Sequence, residues 1–116
     1  MGLSYTNYQN VFSGADATAD ANSGSLNSAG YSSARVCFVV SGLVDAGGIN
    51  ATLGVQGSMD GTNWSATIGV ATAAAASATY MSAVLDIRCY NHIRLVYLKN
   101  GATAGTYTGH VALLNN

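Results

Sequence analysis

The chain has 116 residues, enough for one domain with a single hydrophobic core that needs no metals or cross-links. Hydrophobic residues make up 49% of it and charged residues only 8%, against about 25% in an ordinary soluble domain. Its net charge of -1 and single lysine exclude the clustered basic surface of a nucleic-acid-binding protein. The surface must therefore consist mainly of small neutral side chains. Such a surface favours permanent contact with other subunits, although a neutral monomeric domain remains the alternative.

The first 30 residues show an aromatic segment followed by a polar one. Residues 1–5 contain no basic stretch leading into an apolar one, so we expect neither Sec export nor membrane insertion. Residues 5–12 are typical of an opening strand or of an extended arm, and residues 13–30, rich in small polar residues, are predicted to form mainly a loop. We expect residues 1–12 to reach outside their own sandwich and add a strand to the sheet edge of a neighbouring subunit, with an ordinary first strand of their own domain as the equal alternative. The candidate subunit-contact residues are Tyr5, Tyr8, Val11 and Phe12.

The middle of the chain predicts a central strand and then a hairpin. Residues 36–40 are apolar on both faces, which indicates a strand covered on each side or packed against a neighbouring subunit. Apolar residues then alternate on both sides of the Asp60-Gly61 pair, which predicts a hairpin with its tip at that pair and strands near residues 51–58 and 63–69. Trp64 follows the turn in this alternating register. We therefore predict that it is a core residue and not a platform for a ligand.

The remaining segments complete an all-β pattern. Alternating residues predict strands near 81–87, 93–97 and 107–113, whereas the alanine-rich residues 70–78 are predicted to form a loop, with at most one helical turn. About seven or eight strands with frequent turns are typical of an antiparallel β-sandwich, and we expect a jelly-roll-like one spanning residues 1–116 as a single domain. The chain has no proline and few charges to protect its sheet edges, so we expect other subunits to cover them.

Residues that could support catalysis are few and scattered. The two histidines, His92 and His110, fall in predicted strands, and a pairing of Cys89 with His92 lacks a third group to orient it. The five acidic residues are all aspartates and suggest no acid-base pair. We therefore predict that the protein is not an enzyme and has no catalytic residues.

Metal and cofactor sites are not predicted either. Asp16, Asp20 and Asn22 lack the spacing of a calcium loop, and we expect Asx turns there. Cys37 and Cys89 do not have a zinc-site spacing. They can be buried free thiols or a disulfide between strands, and the sequence leaves both open. No ligand can be named from these residues.

Two segments resemble a known group of proteins. Residues 55–64, VQGSMDGTNW, resemble a Gly-Ser-x-Asp-Gly-Thr-Asn-Trp hairpin that recurs in β-sandwich proteins of tailed-phage virions and in some discoidin-like or carbohydrate-binding modules. Residues 90–97, YNHIRLVY, look like the second half of the same pattern, so that the resemblance covers roughly the last two thirds of the chain.

This resemblance implies a structural protein of a bacterial virus. The expected role is a capsid decoration or cement subunit, assembled in the host cytoplasm and located in the virion. Its expected partners are the major capsid protein or another virion protein, and further copies of itself, as a trimer at local threefold positions. The alternative is a β-sandwich associated with the tail, baseplate or fibre and having a carbohydrate-binding role, which an exposed Trp64 in a cleft would favour.

Overall fold

The computed structural model describes the backbone of residues 5–115 and the side chains of residues 7–115. Over this range the chain forms strands and loops without a helix, and therefore contains no helical segment able to cross a bilayer. The strands are β1 (Tyr5–Asp16), β2 (Ala21–Asn22), β3 (Leu26–Asn27), β4 (Ser33–Val44), β5 (Thr52–Ser58), β6 (Gly69–Thr72), β7 (Ala78–Met81), β8 (Leu85–Asp86), β9 (His92–Leu98) and β10 (Ala104–Asn115).

The strands form two antiparallel sheets that pack face to face. The first sheet has the order β1-β10-β4-β7, with β8 also paired to β4, and the second has the order β2-β9-β5-β6, with β3 also paired to β9. If β2 with β3 and β7 with β8 are counted as two interrupted strands, residues 5–115 form eight strands, four in each sheet. Every connection except the one from β5 to β6 then crosses between the sheets, as in a jelly roll. The predicted antiparallel β-sandwich is confirmed.

The core lies between the sheets and is built by alternate residues of the long strands. Successive side chains of a strand point to opposite faces, so every second residue of β4, β5, β9 and β10 points inward. The alternation predicted for residues 93–97 and 107–113 is confirmed by their burial. The largest fully buried side chains include Phe38, Leu53, Val55, Ile93, Leu95, Tyr97, Tyr107, Val111 and Leu113.

A cluster of aromatic rings joins the two sheets at the centre of the core. Tyr97 of the second sheet stacks on Tyr107 of the first, with ring centroids 3.8 Å apart and planes 13° apart. The ring centroid of Phe38 lies 6.0 Å from that of Tyr97, and the ring centroid of Phe12 lies 5.2 Å from that of Tyr107. The Tyr97 hydroxyl donates a hydrogen bond to the Ala17 carbonyl at 2.9 Å. Burial raises the pKa of both tyrosines to about 12.

The opening segment belongs to its own sandwich. β1 pairs with β10 from Tyr5 opposite Asn115 to Asp16 opposite Thr106. Val11 and Phe12 pack against the core of their own chain, since β10 provides a partner strand of equal length and Phe12 contacts the central rings. The expectation of an arm leaving the domain is therefore wrong for residues 5–12, while residues 1–4 lie outside the described part.

Several predicted boundaries also differ. β1 continues to Asp16, and β2 and β3 both lie within the predicted loop of residues 13–30. The predicted strand over residues 81–87 is interrupted after β7. At this point the Ser82 hydroxyl accepts a hydrogen bond from the Val36 N–H, and the backbone N–H of Ser82 donates to the Val36 carbonyl. The predicted loop over residues 70–78 is confined to the stretch between β6 and β7. Both cysteines are free, with Cys37 half-buried in β4 and Cys89 exposed in a turn, so that neither is fully buried.

Candidate functional site

The connection between β5 and β6 is a long structured loop at one end of the second sheet. The two strands pair antiparallel, from Thr52 opposite Thr72 to Val55 opposite Gly69. The second strand thus begins at Gly69, later than predicted, and Asp60 and Gly61 lie in the loop before it. The loop remains close to β5 because the Ser65 N–H donates to the Gly57 carbonyl at 2.8 Å.

Asp60 organises this loop. Its carboxylate accepts the backbone N–H groups of Asn63 at 2.8 Å and Thr62 at 2.9 Å, the Asn63 side-chain amide at 2.7 Å and the Ser58 hydroxyl at 3.0 Å. These hydrogen bonds, with the backbone N–H of Asn63 as the largest cause, hold the pKa of the Asp60 carboxyl well below its usual range. Gly61 has a φ of 78°, which favours glycine, and donates its N–H to the Ser58 hydroxyl at 2.8 Å. The Asp-Gly pair therefore produces a structured loop instead of a two-residue turn.

The turn before β9 packs against this loop. The ring of Tyr90 lies directly over Gly57, where a Cβ atom would be only 2.4 Å from the Tyr90 Cγ. The next residue, Asn91, donates its backbone N–H to the Ser58 carbonyl at 3.1 Å and its side-chain amide to the Met59 carbonyl at 3.2 Å. The absence of a side chain at Gly57 is what allows the aromatic ring to approach the strand this closely.

Trp64 lies outside the core, contrary to the prediction. It is half-buried, and the Cζ atom of Arg94 lies 4.6 Å from the centroid of its ring. The Arg94 Nε in turn donates to the Gln56 side-chain oxygen at 2.9 Å. The prediction failed because residues 63–68 form no strand, and the alternation that would have turned Trp64 inward does not apply to a loop.

Together these elements line a shallow cavity of about 530 Å³ that is widely open to solvent, which we call the Trp64 cavity. Apolar side chains dominate its surface, and the polar groups of the β5–β6 loop stand beside them. Its lining includes Gly57, Met59, Asp60, Asn63, Trp64 and Tyr90. The sequence pointed to Asp60, Gly61 and Trp64 as structural residues of the hairpin. Tyr90 and Arg94 stood out only within the resemblance of residues 90–97, and their position beside the loop follows from the pairing of β9 with β5.

A second surface is formed by the outward side of the first sheet. Strand register places His110 opposite Cys37, and Cys37 opposite Met81. Together with Tyr8 these residues line a smaller cavity of about 160 Å³, and the side chains of Tyr8 and Met81 are 76% and 58% exposed. The sequence did not reveal this meeting of Cys37 and His110, since their residues are 73 positions apart. We call this surface the outer face of the first sheet.

The other candidate residues have local structural roles. His92 Nδ1 lies 3.2 Å from the Ser25 hydroxyl, and no hydrogen bond joins its ring to Cys89 among the described residues. Asp16 accepts the Thr18 N–H at 2.9 Å, as predicted for an Asx turn, whereas Asp20 accepts the N–H of the distant Lys99 at 2.8 Å. Within residues 7–115 no group of three or more His, Cys, Asp or Glu side chains could hold a metal ion.

No family model and no curated protein matches the chain. Among solved structures it is similar to the SPBc2 prophage-derived protein YomS, with a TM-score of 0.65 at 10% sequence identity, over 99% of this chain and 97% of that one. The dimeric latent PorU from Porphyromonas gingivalis has a TM-score of 0.47 at 14% identity and is covered over only 12% of its chain. The likeness to YomS shows that the two proteins share a fold over nearly their whole lengths.

Proposed function

We propose that the chain is a non-enzymatic structural subunit of a phage virion, and that it serves as a capsid decoration or cement protein. The observation that carries this proposal is the fold shared with a prophage-derived protein over almost all of both chains. The hairpin resemblance at residues 55–64 supports the same assignment. In this role the protein acts through contacts and is located in the virion after assembly in the host cytoplasm.

The surface of the sandwich supports a role in subunit contacts. Exposed apolar side chains on the outer face of the first sheet include Tyr8 and Met81, and the charged fraction of the whole chain is only 8%. β1 is an edge strand of 12 residues that contains neither lysine nor proline. A long edge of this kind is open to pairing unless a neighbour covers it.

We propose a homotrimer, because a closed ring covers such edges without forming an open fibre.

The partners proposed for this trimer are the major capsid protein or another virion protein. The outer face of the first sheet is the proposed contact for one of these neighbours. Of the predicted contact residues, Tyr8 is best placed to take part, because Val11 and Phe12 are partly used by their own core. The side chain of Tyr5 lies outside the described residues.

The test combines sedimentation of the purified chain with binding to emptied heads of the phage or prophage that encodes it. We expect a trimer that binds heads saturably. Met81→Lys on the outer face should weaken assembly or head binding at least ~10-fold, a loss of about 1.4 kcal/mol. Val70→Lys is the matched control, since Val70 is a similarly exposed apolar strand residue, 45% exposed, on the second sheet.

A monodisperse monomer without affinity for heads would contradict the proposal. Binding to isolated tails but not to heads would favour a second candidate, a sandwich associated with the tail, baseplate or fibre and having a carbohydrate-binding role. The observation that favours this candidate is the position of Trp64, which lines a cavity instead of filling the core.

A further inference from the structure

The Trp64 cavity has the size and composition of a small-molecule site. Its volume of about 530 Å³ is adequate for a sugar ring or two, and ligand sites commonly occupy roughly 300–1,000 Å³. Two aromatic side chains, Trp64 and Tyr90, contribute to its surface. Sites of this kind combine an apolar surface with a few polar groups that orient the ligand, and Asp60 and Asn63 stand in that position here.

The indole of Trp64 packs against a cation and also lines the cavity. The guanidinium of Arg94 covers one face at 4.6 Å and is held by its hydrogen bond to Gln56. Trp64 lines the cavity, whereas Arg94 does not contribute to that lining. The cation therefore helps to hold an aromatic ring that contributes to the cavity surface. Polarised C–H groups pack favourably on such a face because the ring carries negative charge density there.

The charge of the cavity restricts the ligand. Asp60 is ionised at ordinary pH, because the hydrogen bonds of the loop lower its pKa. Asp60 is the charged member of the described cavity lining, and its carboxylate disfavours anionic ligands beside it, whereas Arg94 lies against the indole and outside that lining. A purely apolar partner would remove water from the carboxylate without replacing its hydrogen bonds, at a cost in free energy. A neutral ring with hydroxyl groups avoids both penalties, since its C–H face packs on the aromatic ring and its hydroxyls replace the displaced water.

The site is also preorganised. Asp60 holds the β5–β6 loop, and Asn91 ties that loop to the turn carrying Tyr90. A rigid loop loses little conformational entropy on binding, which favours affinity for a small ligand. From these features we propose that the Trp64 cavity binds a neutral saccharide, with the pyranose ring against Trp64 and its hydroxyls near Asp60 and Asn63. This inference rests on the carbohydrate-binding role of the second candidate function, and saccharide titration tests it separately from binding to heads or tails.

The chain offers a direct measurement, because Trp64 is its only tryptophan. Tryptophan emission, excited at wavelengths where tyrosine does not absorb, therefore reports on the surroundings of Trp64. Maltotriose, cellotriose and the trimer of N-acetylglucosamine would be titrated to about 10 mM, a range suited to the millimolar affinities of weak binders. Sorbitol, an open-chain polyol, serves as the control ligand. We expect at least one trisaccharide to change the emission saturably, and sorbitol to leave it unchanged.

Variants test whether the bound sugar lies in this cavity. By calorimetry, Trp64→Ala should weaken binding at least ~10-fold, whereas Trp64→Phe should retain part of the affinity because an aromatic face remains. Tyr8→Ala is the matched control, since it removes an exposed aromatic ring from the other sheet. Circular dichroism would verify that each variant is folded.

Three results would overturn the proposal. The first is the absence of any emission change with all three trisaccharides. The second is unchanged affinity in Trp64→Ala. The third is an emission change produced by emptied heads but by no saccharide, which would mean that the cavity receives a side chain of another virion protein.

Discussion

The molecule contains two groups of aromatic side chains that differ in how they are held. Tyr97 and Tyr107 stack between the sheets and are 0% and 1% exposed. Trp64 and Tyr90 are half-buried and lie on connections outside the regular strands. The first pair is buried by the alternation of two long strands, whereas the second is positioned by loop hydrogen bonds and by the space above Gly57. An inward strand register thus buries Tyr97 and Tyr107 completely, whereas the outward register of Tyr8 leaves that ring exposed and the loop position of Trp64 leaves it half-buried beside the cavity.

Tyr107→Ala should have the largest effect, because it removes a ring that contacts Phe12, Phe38 and Tyr97. Truncating a core aromatic residue costs roughly 3–5 kcal/mol, and we expect a loss in this range. Unfolding in urea measures the change, with Tyr8→Ala as a control expected to stay within about 0.5 kcal/mol. Similar losses in the two variants would remove the distinction between core and surface aromatic residues.

Alkaline pH should have the second largest effect, because it lowers the stability that the buried pair Tyr97 and Tyr107 gives to the fold. The pKa of Tyr97 and that of Tyr107 are raised from 10.0 to about 12 by burial, so the unfolded chain ionises these residues first. Their contribution is complete below pH 10 and is lost as the pH rises towards 12, by about 2–3 kcal/mol for each residue. Urea unfolding at a series of pH values measures this decline, and tyrosinate absorbance follows the ionisation. Stability that stays constant over this interval would contradict the assignment.

Gly57→Ala should displace the Tyr90 ring and thereby lower the stability of the fold. The new methyl group would overlap the Tyr90 ring, and displacing a packed side chain costs roughly 1–3 kcal/mol. Thermal unfolding measures the cost, and the emission of Trp64 reports whether the cavity changes with it. Gly24→Ala is the matched control, because nothing lies within 4 Å of a Cβ at that position. Equal stability of the two variants would show that Tyr90 is not held against Gly57.

Trp64→Ala should have the smallest effect on stability. Since Trp64 lies outside the core and is only half-buried, we expect a loss of about 1–2 kcal/mol, below that of a core aromatic residue. Chemical unfolding of the variant beside Tyr107→Ala measures the difference. A loss as large as that of Tyr107→Ala would place the indole in the core after all and would weaken its assignment to a ligand site.

The sequence by itself determined the fold class and much of the core. Period-two alternation identified the inward faces of β9 and β10. Residues 36–40 predicted a central strand, and β4 does lie between β10 and β7, although Cys37 and Val39 on its outer side are only half-buried. These predictions succeeded because the direction of a side chain on a strand depends only on its local register. The low charge was also readable without a structure.

Only the tertiary structure decided the placement of the first strand and of the candidate site. Residues 5–12 had the composition of both an arm and a strand, and their pairing with β10, about a hundred residues away in sequence, resolved the choice. Trp64 lies outside the core because the hydrogen bonds of Asp60 hold the preceding residues in a loop and not in a strand. The pairing of β5 with β9 brings Tyr90 and Arg94 beside it. Contacts between distant segments depend on how strands pair in space, and alternation along one strand carries no information about them.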